Sequence, residues 1–109
     1  MKKLWQLAVL GAGWAAGGAC AGVPEGMASF QRGRCVDAVA QLRGPALGGN
    51  IKAQKVLGDI YAGAEQCSDV ARSDADAVRW YLLAAKRGDR VAQEELVSLY
   101  TSWSGSMRN

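Results

Sequence analysis

Apolar residues in the second half of the chain recur at the spacing of an α-helix. One stripe, at positions i, i+4, i+7 and i+8, consists of Ala53, Leu57, Ile60 and Tyr61. The same stripe returns 39 residues later as Ala92, Leu96, Leu99 and Tyr100. This spacing places the apolar side chains on one face of a helix with 3.6 residues per turn. The pattern therefore predicts two equivalent amphipathic helices.

The repetition extends beyond these two helices. Aligning residues 35–61 with residues 74–100 pairs nine identical residues. The pairs are Asp37 with Asp76, Ala38 with Ala77, Val39 with Val78, Ala46 with Ala85, Gly49 with Gly88, Ala53 with Ala92, Gln54 with Gln93, Leu57 with Leu96, and Tyr61 with Tyr100. Identities at helical spacings and at a helix stop are typical of a duplicated unit of two helices joined by a turn.

Caps and stops divide the chain into five predicted helices. The fourth begins at Ser73 or Asp74 as N-cap and ends at Gly88. Pro45 lacks the N–H that would bond the carbonyl of Gln41, so it should kink or end the second helix. The helices are predicted at residues 26–32, 35–48, 51–63, 74–87 and 89–103, followed by a flexible tail at 104–109. The fold class is all-α, a short α/α solenoid of about two helix pairs plus a terminal helix.

Small and large apolar residues in these helices have a packing explanation. Small residues such as Ala53 and Ala92 allow close approach of neighbouring helices. We expect Trp80, Tyr81 and Tyr100 to fill the space between helix layers and to be core residues, not a ligand cage.

The motifs of the duplicated unit also match a known pattern. They are Gly49-Asn50, Ala53-Gln54, Leu57-Gly58, Tyr61, Val70, Ala77, Trp80-Tyr81, Ala84-Ala85, Gly88-Asp89, Ala92-Gln93, Leu96 and Tyr100. In these residues the chain resembles the Sel1-like repeat, a relative of the tetratricopeptide repeat, over residues 26–103. It departs from the family pattern in the longer segment 64–69, in Val97 where the pattern has glycine, and in the lack of a closing helix after Tyr100.

The resemblance implies an adaptor or scaffold that binds another protein through an extended helical surface. In such stacks the first helix of each pair usually lines the concave face. Here that face would present Lys52, Lys55, Asp59, Val91, Glu94 and Ser98. The alternative for Lys55 and Glu94 is a simple ion pair between equivalent positions, which contributes about 0–1 kcal/mol when exposed.

The end of the repeat array offers a further candidate surface. Repeat arrays need neighbouring units or polar caps to cover their apolar faces, and this one stops after the helix that holds Leu96, Leu99, Tyr100 and Trp103. We expect an uncovered apolar face that docks a partner or a second copy of the chain, with Trp103 as the anchor.

The N-terminal segment, residues 1–21, has the features of a secretory signal peptide. Lys2 and Lys3 precede an uncharged run, interrupted by glycines, that falls short of the roughly 20 apolar residues of a membrane-spanning helix. Two processing alternatives are open: cleavage that releases a domain of residues 22–103 with its tail, or lipid modification of Cys20. Bacterial lipoprotein signals usually carry leucine where this chain has Gly17. The prediction is a periplasmic or secreted protein that associates with a membrane only if Cys20 is lipidated.

The cysteine count follows from this processing. Either alternative removes Cys20 from the free thiols and leaves Cys35 and Cys67 in a compartment where thiols oxidise. Both lie at the same end of adjacent helix pairs, and the lengthened loop around Cys67 supplies the slack that a bridge needs. The sequence therefore predicts a Cys35–Cys67 disulfide.

Other kinds of chemistry find little support in the composition. The chain has 13 Lys and Arg against 10 Asp and Glu, but two of the cations are Lys2 and Lys3, so the rest is nearly neutral and has no basic run for nucleic acid. It has no His, no phosphate-binding glycine loop, and too few ligands for zinc.

We therefore predict no catalytic residue, metal or cofactor. Three function classes remain: an exported protein-binding module, a lipid-anchored envelope factor with the same helices, and a cell-wall hydrolase that no residue supports.

Overall fold

The computed structural model of the chain describes residues 22–108, with side-chain surroundings as far as Ser104. These residues form five helices and no strand: α1 at 22–31, α2 at Cys35–Leu47, α3 at Ile51–Tyr61, α4 at Asp74–Lys86, and α5 at Arg90–Arg108. From α2 onward, each helix packs against the next. The fold is therefore the predicted all-α stack of helix pairs with a terminal helix. The predicted signal peptide and Cys20 lie outside the described residues.

Two helix ends differ from the prediction by four residues or more, and Pro45 does not end α2. Helix α1 already includes residue 22, with Pro24 in its first described turn, where proline is tolerated. Helix α2 continues past Pro45 to Leu47. Helix α5 continues to Arg108, so residues 104–108, predicted as a flexible tail, are helical. The Thr101 hydroxyl donates to the carbonyl of Val97 at 3.0 Å, so this polar residue bonds back onto the helix and does not interrupt it.

The turn between α2 and α3 recurs between α4 and α5. Gly49 and Gly88 have φ angles of 101° and 93°, a region that favours glycine. Each is followed by a capping residue: Asn50 Oδ1 accepts from the N–H of Ala53 at 2.9 Å, and Asp89 Oδ2 accepts from that of Ala92 at 2.8 Å. The Nε2 atoms of Gln54 and Gln93 donate to the carbonyls of Ala46 and Ala85. The sequence offset of 39 thus corresponds to a recurring turn with the same hydrogen bonds.

The core lies in two clusters along the stack. The first contains buried residues of α2, α3 and the loop after α3: Cys35, Ala38, Leu42, Ala46, Ala53, Val56, Leu57, Ile60 and Cys67. The second joins α4 to α5 and contains Ala77, Tyr81, Ala84, Ala92 and Leu96. Tyr81 is the predicted core aromatic that is fully enclosed, at 1% exposure. The prediction that Tyr100 is a core residue is wrong, because no helix in the described part of the chain covers it and it is 52% exposed.

Two glycines allow successive helices to pack closely. A Cβ atom at Gly26 of α1 would lie 2.4 Å from Leu42 Cγ, and one at Gly58 of α3 would lie 2.4 Å from Tyr81 Cε1. Such distances exclude any side chain without a shift of the neighbour. Leu42 of α2 and Tyr81 of α4 therefore each fit onto a glycine of the preceding helix.

The long loop between α3 and α4 is fastened to the start of α2. A disulfide joins Cys35 to Cys67, with a Cα–Cα distance of 5.4 Å, as predicted. Two residues further along the loop, Asp69 Oδ2 accepts a hydrogen bond from the N–H of Val36 at 3.0 Å. Because the N-cap residue Arg34 provides no side-chain acceptor, Asp69 takes over this role for α2 from a distant part of the chain.

Candidate functional site

Helices α4 and α5 enclose an open cleft at the end of the stack, which we call the end cleft. Its volume is about 510 Å³, and it is lined by Asp74, Ala75, Asp76, Val78, Arg79, Leu99, Tyr100 and Trp103. The two aromatic side chains are 52% and 60% exposed. Large apolar side chains held this far into solvent at one place are typical of a binding surface. Trp103 was predicted from the sequence as an anchor, and it lines this cleft.

The acidic and basic side chains of the end cleft are paired with each other or with neighbours. Arg79 lies 3.9 Å from Asp76, and Arg72, just before α4, lies 3.1 Å from Asp74. These pairs are exposed and contribute little to stability. They do leave the carboxylates of the rim with partners, so the apolar side chains are the main feature that the cleft offers.

A second depression lies between α2 and α4, and we call it the inner groove. Its lining includes Val36 and Val39 from α2, Tyr61 from α3, and Trp80 and Leu83 from α4. Charged side chains line it as well: Arg43 and Asp69 belong to the inner groove alone, whereas Asp76 and Arg79 also line the end cleft. In the inner groove, side chains of α4 already cover part of α2 and α3.

The end cleft repeats one wall of the inner groove. Val39 and Tyr61 have Val78 and Tyr100 as their equivalents 39 residues later, and all four line their respective depressions. The inner groove is closed on its far side by α4, whereas no described helix follows α5. This difference explains why Tyr61 is half-buried and Tyr100 exposed.

A partly buried hydrogen bond connects α3 and α4. The Tyr81 hydroxyl donates to Asp59 Oδ1. Burial of the ring raises the pKa of Tyr81 above its ordinary value, and the hydrogen bond to Asp59 and the negative charges of Asp59 and Glu95 raise it further. The phenol therefore stays protonated and acts as a hydrogen-bond donor, which is a structural role.

The residues predicted for the concave face divide into two groups. Lys52, Val91, Glu94 and Ser98 are exposed, so their role in binding stays a prediction. Asp59 is engaged by Tyr81, and it also lies 3.9 Å from Lys55 Nζ. The alternative pairing of Lys55 with Glu94 is wrong, since the ion pair that Lys55 forms within the described residues is with Asp59 on its own helix.

The α4 wall of the end cleft was missed at the level of sequence. From the sequence, Val78 is part of the duplicated unit and Asp74 is a candidate N-cap, and neither is predicted to contact a partner. The signal was present in the identity of Val78 with Val39, because Val78 repeats an apolar residue on the face that the next helix pair would cover. Sequence reasoning found Leu99, Tyr100 and Trp103 but not the helix they face.

Other kinds of site are not visible in the described part of the chain. Residues 22–108 contain no group of three or more Cys, Asp or Glu side chains placed to hold a metal ion. None of the helices described there combines the length and the apolar content needed to cross a membrane. Comparisons with protein-family models, curated proteins and solved structures gave no match.

Proposed function

We propose that this chain is an exported protein-binding module, that it binds a partner protein at the end cleft, and that it has no catalytic centre of its own. The observation that carries the proposal is the exposure of Tyr100 and Trp103 beside Val78 and Leu99 in one cleft. Aromatic side chains that are partly exposed at a concave apolar surface are the residues that contribute most to protein–protein affinity.

Membership of the Sel1-like repeat family is part of the proposal. The recurring turn with its glycine, its capping oxygen and its glutamine supports a duplicated unit. The sequence motifs around Leu57-Gly58 and Trp80-Tyr81 are the features that resemble the family. Its adaptor and scaffold roles agree with a function in binding.

Export is the second part. A disulfide between buried cysteines is typical of an oxidising compartment, which agrees with the signal peptide predicted from residues 1–21. We propose a periplasmic or secreted protein. Lipidation of Cys20 is the alternative, and it would place the same helices at a membrane surface.

The first test uses covalent capture followed by a matched comparison. A photoreactive amino acid in place of Ala75, which is exposed in the end cleft, would capture the bound protein in the native envelope. Trp103→Ala should then weaken the affinity of the purified partner by about 2 kcal/mol, roughly 30-fold, because it removes the anchor.

Leu47→Ala is the matched control. Leu47 is 68% exposed, comparable to Trp103, but it lies at the end of α2 and does not line the cleft. It should leave the affinity unchanged, and both variants should keep the circular dichroism of the parent. An equal effect of the two substitutions, or none from Trp103→Ala, would contradict the proposed site. A dimer of the chain that Trp103→Ala dissociates would assign the cleft to a second copy.

A further inference from the structure

The interior of the chain contains a precedent for what fills the end cleft. Inside the stack, Trp80 of α4 lines the inner groove together with Val39 and Tyr61. The equivalents of Val39 and Tyr61 at the open end are Val78 and Tyr100, and they line the end cleft. A helix that docks there as α4 docks inside would therefore place a large apolar side chain between Val78 and Tyr100.

The inner groove and the end cleft can also be compared near the starts of α2 and α4, where each depression has a further wall. In the inner groove, Asp69 and Val70 of the long loop lie beside Val36 near the start of α2. In the end cleft, Trp103 lies near the start of α4, with Asp74 and Ala75 in the same lining. Because α5 continues past Tyr100, the Trp103 side chain of α5 occupies in the end cleft the place that the long loop takes in the inner groove. What the end cleft lacks is a helix equivalent to α4.

The second contact of α4 is not reproduced at the open end. Tyr81 packs on Gly58 so closely that a Cβ atom there would lie 2.4 Å from the ring. The equivalent of Gly58 is Val97, which is 62% exposed, and the equivalent of Asp59, the acceptor of the Tyr81 hydroxyl, is Ser98. A branched side chain therefore stands where the ring of an incoming tyrosine would have to lie.

We infer that the end cleft binds one amphipathic α-helix of another protein, with a large apolar side chain at the position of Trp80 and a small one at the position of Tyr81. This inference rests on the proposed protein-binding function and adds to it the kind of partner. The α4 helix of a second copy does not meet the requirement, because it carries Tyr81 and is packed within its own chain. The paired rim carboxylates leave shape and apolar contact to decide the specificity.

The experiment uses the helix α4 itself as a probe. A helix-stabilised, fluorescent peptide of residues 72–88 and the same peptide with Tyr81→Ala are titrated into the disulfide-bonded chain, with anisotropy as the readout. The chain should bind the Tyr81→Ala peptide about tenfold more tightly than the unsubstituted one, because only the smaller side chain fits opposite Val97. Val97→Gly in the chain should remove this preference by opening the place for the ring.

A second substitution at position 97 controls for a loss of helix stability in the Val97→Gly variant. Val97→Ala places a strong helix former at this exposed position and should give an intermediate preference. Trp103→Ala in the chain should weaken both peptides. A preference that stays the same in all Val97 variants, or no binding of either peptide, would overturn the inference. The proposed function fails separately, if the captured partner does not depend on Trp103.

Discussion

At the scale of single residues, position 58 is decided by a neighbour from another helix. Gly58 lies in the middle of α3, where glycine is the second-poorest helix former, yet the buried Tyr81 ring occupies the space that a side chain would need. The Tyr81 hydroxyl is also tied to Asp59, so the ring cannot turn away without losing that hydrogen bond. The local cost in helix propensity is offset by close packing of α4.

This packing leads to a prediction with an internal control. Gly58→Ala should gain about 1 kcal/mol in helix propensity but lose about 1–3 kcal/mol by overpacking against Tyr81, for a net destabilisation of up to about 2 kcal/mol. Gly44→Ala in α2, with nothing within 4 Å of the new Cβ, should stabilise by about 0.5–1 kcal/mol. Denaturant unfolding of the disulfide-bonded chains measures both. Two changes of the same sign would contradict the explanation.

At the scale of elements, the loop between α3 and α4 stabilises a helix to which it is not adjacent in sequence. Cys67 and Asp69 both contact the start of α2, one through the disulfide and the other as the acceptor for the Val36 N–H. The loop returns to α3 through the Ser73 N–H, which donates to the carbonyl of Tyr61 at 2.8 Å. The extra length that departs from the family pattern thus has a structural role.

Reduction of the disulfide should therefore destabilise the fold strongly. The cysteines are 32 residues apart, and opening a loop of this size costs on the order of 3–4 kcal/mol in chain entropy. The melting temperature should fall by on the order of 10 °C or more for a domain of this size. Thermal unfolding with and without reductant measures the change. The double variant Cys35→Ala with Cys67→Ala should have the melting temperature of the reduced chain, and reductant should not change it. Two free thiols in the unfolded, unreduced protein would refute the bridge.

At the scale of the whole molecule, the disulfide and the proposed binding cleft lie in different parts of the stack. The disulfide lies in the core cluster of α2 and α3, which α1 and α4 cover. The cluster of α4 and α5 has the end cleft beside it, with exposed Tyr100 and Trp103. A fixed end and an open end suit a module that must remain folded while an apolar surface stays available.

The disulfide also allows a test of the proposed export, because a disulfide forms in an oxidising environment. Mass spectrometry of the chain from expressing bacteria should show the loss of residues 1–21, or a lipid on Cys20, together with a mass two hydrogen atoms below that of the dithiol. A control with the Lys2-to-Ala21 segment deleted should stay in the cytoplasm with reduced cysteines. An intact chain starting at Met1 in the cytoplasm would contradict export.

The sequence by itself determined the helices, their order, the recurring turn and the disulfide. These follow from local chemistry: apolar spacing, capping oxygens, glycine at a positive φ, and the two cysteines outside the predicted leader. Only the tertiary structure decided which helix faces are covered by another helix and which are exposed. Tyr61 and Tyr100 stand in identical local patterns, yet one is half-buried and the other exposed, because α4 covers only the first. Val97 differs from Gly58 for the same reason, since close packing restricts a position only where another helix arrives.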